Sequence, residues 1–520
     1  MITNPAAAMR MLITYMICIP MAVLVGFLLT NPLDYGTLGF LGLVIALVIS
    51  PIFIRWHYPL MVFSLSSPIV LFFLKGNPPF STVMIVFCLG IAILNRILRS
   101  EQGGFSVPVI NWPLMFTLFV VMFTAELNGG IGFHQLGGDS GVVGGGRKYL
   151  TIFVGVAAFY ALCSRFIAPQ ERRLYLMLFF LPTALSFVSD LFSYLPYPLK
   201  YINLIIPPSG YSMDSVAIAD TGTVAYKRFG GFSAAGNALL MFMLARHGFR
   251  GMIGGKGPWR LALLLMLVFI TFLGGFRSSV ITLIMILGLL FFFEGLHRTR
   301  LLPVFVMGLI ITCLLVVCFA GKLPFSVQRS LAFLPLTNLD PQIVMDAQGS
   351  TNWRLNMWQY LWPQVPKYLL LGKGYGLSKE DFEMIGQGNV LANASEAFDP
   401  TSAGLAVSSD YHSGPLSTLI PFGIWGAIAF LWLTLAGFRL LYRNCKYCEP
   451  ELKNINRFLL AYTIVHWVGF FFIFGAYQND VGFFAMVFGF SVALNGGMRG
   501  PMTEPALASL SKPLPSPQMV

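Results

Sequence analysis

The stretch "SSDYHSGPLSTLIPFGIWG", residues 408–426, takes the chain from a polar segment into an almost wholly apolar one. Asp410, Tyr411 and His412 stand just ahead of a patch of small residues. Roughly 25 apolar residues follow, enough for a helix to cross a hydrocarbon core of ~30 Å. A segment bound for a bilayer has no physical need of an acid, a phenol and an imidazole at its mouth. Which membrane face they occupy, and what else lies there, decides their meaning.

The rest of the chain is of the same kind. Of 520 residues, 56% are hydrophobic and 10% charged, against roughly a quarter charged in soluble globular chains. The mean hydropathy is +0.75. The expected fold class is all-α, a polytopic transmembrane helical bundle of about 14 (12–14) spans. They read at roughly 11–30, 36–54, 58–75, 80–96, 111–127, 149–168, 174–194, 232–248, 259–276, 278–294, 301–320, 415–441, 457–475 and 480–497. Pro59, Pro68, Pro78 and Pro79 interrupt the third and fourth. The first span lacks a small-residue cleavage site and reads as a retained helix. Residues 1–500 form one integral membrane domain, with an outer loop of about 321–414 inserted. The tail, 501–520, is Pro-rich and reads as disordered.

Basic residues set the orientation. Arg10, Arg55, Arg96, Arg165, Arg172, Arg173, Arg246, Arg260, Arg298, Arg439 and Arg443 fall in alternate loops. Those loops lie inside, with both termini. The net charge of +12 follows this asymmetry and does not call for nucleic acid. No cysteine falls in an outer loop, so no outer disulfide framework is implied. Cys445 and Cys448 lack a second pair or a nearby histidine. "KEDFE", 379–383, reads as a solvated helix face, and no metal ligand cluster is expected.

On the outer side the polar inventory is short. Only His134 and His412 face outward, and His134 sits in a glycine-rich loop. The outward arginines are Arg147, Arg228, Arg277, Arg329 and Arg354. Arg277 stands in "FLGGFRSSVITL", at the tightest turn between two spans. Snorkelling at the interface is the bland account. Against it, an outward guanidinium beside Ser278 and Ser279 suits an anion, because arginine grips phosphate with two parallel hydrogen bonds. "STNWRLNMWQYLWPQV" reads as a short amphipathic helix. Trp353, Met357 and Tyr360 lie near one face, Arg354 and Trp358 near another, and Pro363 and Pro366 end it.

These elements resemble the O-antigen ligase and polymerase superfamily. His412, Leu416, Gly423 and Gly426 match the spacing of its histidine motif. Arg277 stands at the arginine of its Ser-Arg-Gly-then-apolar segment. Arg354, Trp358, Gly372 and Gly374 match its Arg-x-x-x-Trp and Gly-x-Gly pattern. Arg228, Gly231 and Asn237 match an Arg…Gly…Asn element. Ser413 replaces the usual Asn, Pro421 the usual acid, and Phe276 the usual Ser.

The resemblance implies a bacterial inner-membrane glycosyltransferase of O-antigen or other polysaccharide synthesis, with its active site facing the periplasm. It would move a glycan from a polyprenyl (undecaprenyl) diphosphate carrier to a hydroxyl of a glycan or glycolipid acceptor. No cofactor is implied. Arg277 and Arg354 would clamp the departing diphosphate, with Arg228 helping. His412 would be the general base, oriented by Asp410 or Tyr411. Asp410, Tyr411, Asn237 and Trp358 complete the expected substrate contacts. Ligase, polymerase and protein O-glycosyl transferase stay open. So do a lipid-linked glycan flippase or other polytopic transporter, and an envelope scaffold. A transporter tends to show mid-membrane charges and repeated halves, which are not evident.

Overall fold

A computed structural model describes residues 35–74, 76–99, 107–131, 145–192, 195–196, 198–208, 228–253, 259–336, 338–376, 409 and 411–501, with a few positions between 15 and 26. The chain divides into two compact units, Met1–Leu60 and Met61–Val520. The first is described chiefly by α1, Tyr35–Leu65, which runs on into the second unit. α1 kinks at Trp56 (φ −107°, ψ 16°). Pro59 lies just beyond, and its ring crowds the carbonyl one turn back.

The expected span at 58–75 does not form. α1 stops at Leu65, and the chain turns back on itself through a bridge between Val70 and Pro79. The Leu71 N–H donates to the Pro78 carbonyl at 2.9 Å. Pro68, Pro78 and Pro79 lack the amide hydrogens that a helix needs here. Most of the expected first span, and all of the acidic run 379–383, the tail 502–520 and Asp410, lie outside the described residues.

The second unit continues with α2 Phe80–Arg99, α3 Pro108–Leu127, α4 Gly146–Cys163, α5 Arg172–Phe180, α6 Ser186–Phe192, α7 Gly230–Ile253 and α8 Trp259–Phe272. Then come α9 Arg277–Phe293, α10 Leu301–Phe319, α11 Phe325–Leu331, α12 Pro341–Leu361, α13 Val365–Tyr368, α14 Gly414–Tyr447, α15 Lys453–Phe472 and α16 Tyr477–Asn495. Among the described residues there is no strand. Among the described residues six helical segments are long and apolar enough to cross a membrane: Phe80–Leu98, Pro108–Leu127, Pro169–Phe192, Leu301–Lys322, Gly414–Tyr447 and Pro450–Phe472. α8 and α9 are apolar but shorter. The chain is a multi-pass membrane protein.

Close backbone approach and buried amides hold the last helices together. A Cβ on Gly155 of α4 would meet the Gly482 Cα of α16 at 2.5 Å, so two glycines let these helices touch. Asn444 Nδ2 donates to Ser491 Oγ at 3.0 Å, and Asn456 Nδ2 to Asn495 Oδ1 at 2.9 Å. These bonds stitch α14, α15 and α16 where no water is available to compete. α10, among the apolar segments long enough to cross a membrane, buries none of its side chains. Asp190 accepts from the Gly231 and Phe232 N–H groups at 2.7 and 3.0 Å. It thereby fixes the first turn of α7.

α14 is interrupted. Gly423 adopts φ 62°, ψ −156°, a conformation closed to most side chains. At the break the Ile424 N–H donates to the Leu369 carbonyl at 2.7 Å, and the Lys373 and Gly374 N–H groups donate to Ile420 and Pro421 at 2.8 Å. The Gly-x-Gly segment 372–374 thus docks backbone to backbone on the open turn of α14. A Cβ on Gly372 would meet the Pro421 carbonyl oxygen at 2.3 Å.

Candidate active site

The turn between α8 and α9 leaves carbonyls that the helix cannot satisfy, and arginines satisfy them. Arg228 Nε donates to the Gly274 carbonyl at 3.0 Å, and Arg329 Nη1 to the Gly275 carbonyl at 2.8 Å. Gly275 has φ 70°, which lets its carbonyl point that way. The Arg228 guanidinium also lies 4.7 Å from the centroid of the Phe276 ring. Arg329, on α11, is buried (7% exposed). Its Nε donates to Asp346 and its Nη2 to Ser350 Oγ at 2.9 Å.

α12 starts on Asp340, whose side chain accepts from the Gln342 N–H at 2.9 Å. One face of α12 presents Ser350, Thr351, Arg354, Leu355 and Trp358 to a cavity. Another face sends Met357 and Leu361 into a core cluster, with Trp353 packed against it. Arg277 opens α9 and donates from Nη1 to Thr351 Oγ1 at 2.8 Å.

These residues surround a cavity of about 620 Å³, lined also by Arg228, Phe276, Ser278, Ile281, Arg329, Phe333, Phe472, Ile473 and Phe474. Four guanidinium groups face it. Among the described residues no carboxylate lines it. The charges of Arg329 and Arg354 repel Arg277, and Asp346, held by Arg329, offsets part of that. Fixed cations in a partly dry cavity favour an anion strongly, because little water screens them.

His412 stands beside this cavity. Tyr411 (2% exposed) is buried with Met357, Leu361, Val365, Leu416 and Ile420. The Tyr411 carbonyl accepts from Trp358 Nε1 at 2.8 Å. That bond and Tyr411 burial bring the start of α14 against α12. His412 then takes a left-handed conformation, φ 48°, unusual outside glycine. Its ring lies edge-on to Trp353 at 5.3 Å and tilted against Phe474 at 4.9 Å. Phe474 is itself a wall of the cavity.

Arg228, Arg277, Arg354 and Trp358 therefore converge on one cavity, with His412 one aromatic ring away. Tyr411 is a core anchor whose backbone carbonyl holds Trp358. Asn237 is not brought to the arginines. It lines a separate cavity of about 200 Å³ with Phe180, Thr183, Tyr462 and Phe483. Arg329 was legible in the sequence only as one more outward arginine. Its place at the centre, with Ser350 and Thr351, depends on a packing of α11 and α12 that no local pattern announces.

No curated protein matches the chain. Residues 261–431, which carry Arg277, Arg329, Arg354, Trp358 and His412, match the family model described as O-antigen ligase.

Proposed function

We propose that the protein is an inverting, metal-independent glycosyltransferase that moves a glycan from a polyprenyl-diphosphate carrier to an acceptor hydroxyl on the periplasmic face of a bacterial inner membrane. The observation that carries this reading is the convergence of Arg228, Arg277, Arg329 and Arg354 on one cavity, with His412 at its edge. The match of residues 261–431 to the O-antigen ligase family model supports transfer in O-antigen or polysaccharide assembly.

In the reaction the acceptor oxygen attacks the anomeric carbon and the carbon–oxygen bond to the diphosphate breaks. The bonding electrons leave with the diphosphate, whose growing charge the guanidinium groups of Arg277 and Arg354 neutralise. The acceptor hydroxyl gives its proton to the His412 imidazole. One displacement inverts the anomeric centre. Arg228 and Arg329 hold the turn that aims Arg277. The carrier's hydrocarbon chain follows the α9 face that continues from Arg277 through Ile281 and Ile284 to Gly288, four and three residues apart in turn.

The test is transfer in proteoliposomes supplied with a polyprenyl-diphosphate glycan, a panel of acceptors and EDTA. Product of inverted configuration is expected, and the acceptor that works names the subclass. Movement of intact glycolipid across the bilayer without transfer would replace this reading by that of a flippase.

A further inference from the structure

A second cationic cluster stands at the far end of the helices that build the arginine cavity. α7 begins beside that cavity, where the Phe229 N–H donates to the Leu273 carbonyl. Sixteen residues on from Gly230, about 24 Å at 1.5 Å per residue, it carries Arg246 and His247. α8 begins at the same end with Trp259 and Arg260, and α5 carries Arg173 there in its first turn. Arg173 and Arg260 repel Arg246, and His247 lies in the field of all three. Arg246, His247 and Arg260 are half-buried. Arg260 Nη1 donates to the Gly251 carbonyl at 3.2 Å, while its Nε is buried with no hydrogen-bond partner among the described residues.

The nearby acids are engaged elsewhere. Glu294 accepts from the Phe249 and Arg250 N–H groups at 2.6 and 2.7 Å. Glu449 and Glu451 accept from Arg172. Among the described residues no carboxylate is paired with these cations, and positive charge gathered from three helices is costly unless an anion joins it.

The surroundings point to where that anion comes from. Trp259 is exposed and lies 5.6 Å from the Arg260 guanidinium, as an indole does at the headgroup level of a membrane. Leu261, Leu265 and Phe269 are exposed at four-residue intervals along α8, an apolar strip leading from the basic end into the membrane. We infer that Arg173, Arg246, His247 and Arg260 bind the phosphate of an anionic glycerophospholipid, with its acyl chains along Leu261, Leu265 and Phe269. This site stands independently of the reaction assigned to the arginine cavity.

The full-length protein in mixed phosphatidylglycerol–phosphatidylcholine nanodiscs, released for native mass spectrometry, tests the site. Wild type is expected to retain phosphatidylglycerol in preference to phosphatidylcholine. Arg246→Ala and Arg260→Ala should each cut that preference about tenfold, the worth of a charge-assisted hydrogen bond. Arg260→Lys keeps the charge and so the membrane orientation, but should still weaken retention because lysine lacks the fork. Equal retention of both lipids by wild type would overturn the inference. So would unchanged retention in Arg246→Ala and Arg260→Lys at unaltered melting temperature. Displacement of the lipid by millimolar inorganic phosphate would overturn the assignment to a lipid.

Discussion

His412 pairs a chemical role with a backbone that few residues accept. Its φ of 48° suits glycine, asparagine, aspartate or histidine better than others. Asparagine therefore separates the two properties. His412→Asn is expected to keep the fold and lose transfer by about 10²–10⁴-fold, the usual worth of a general base. His412→Ala should lose transfer and also melt earlier. Rates and thermal unfolding of both variants check this; a His412→Asn protein of full activity would remove the base from the account. Arg329 differs from Arg277 in the same way. Arg329 is buried on Gly275, Ser350 and Asp346. Arg329→Ala should cost about 2 kcal/mol of stability, below the full cost of breaking a buried pair because Asp346 is 40% exposed. Arg277→Ala should impair transfer with a smaller loss. Denaturation of the two variants side by side tests the contrast. Arg277 and Arg354 could be read from their motifs; the central place of Arg329 could not, because its partners lie 17 and 21 residues on and 54 residues back.

The break in α14 joins two glycine patterns that are distant in sequence. Gly372, Gly374, Gly423 and Gly426 could be recognised by spacing alone, but their meaning is contact. Segment 372–374 lies across the open turn at 420–424 and couples α13 to the helix that follows His412. Gly423→Ala should destabilise the protein by at least 1–2 kcal/mol, the cost of a left-handed residue with a Cβ. Its Cβ would also meet the Leu369 carbonyl oxygen at 2.5 Å. A melting temperature unchanged by Gly423→Ala would mean that the joint is unimportant. At the α14–α15 connection, Arg172 holds Glu449 at 2.8 Å, and Arg499 also reaches it at 3.1 Å. The Arg172 hydrogen bond keeps the Glu449 carboxyl below its usual value, burial opposing. A depressed carboxyl contributes stability above its unfolded value, lost as pH falls through the folded one. Acid melting should therefore come at higher pH in Arg172→Ala than in wild type, as thermal unfolding against pH would show.

At the scale of the molecule, composition and hydropathy made the membrane character and the all-α fold legible. They did not make legible which apolar runs stay continuous. The region 66–79 turns back because its prolines cannot supply amide hydrogens, and Pro169–Phe192, long and apolar enough to cross, is two short helices joined at the 3-10 turn Leu181–Leu185. Nor does a motif say which way a helix faces. Asn237 matches a family element, yet α7 turns it toward Phe180 and Tyr462, about two turns past Gly230. The division of labour between arginine cavity and histidine belongs to the whole assembly, since it joins α9, α11, α12 and α14. The measurement that tests it most directly is steady-state transfer in proteoliposomes for wild type, Arg277→Lys and His412→Asn, with the donor varied. Arg277→Lys should raise the donor KM and lower kcat, because lysine cannot grip a diphosphate as a fork. His412→Asn should lower kcat at unchanged donor KM. Unchanged kinetics in Arg277→Lys, or a His412→Asn defect confined to donor KM, would contradict the account.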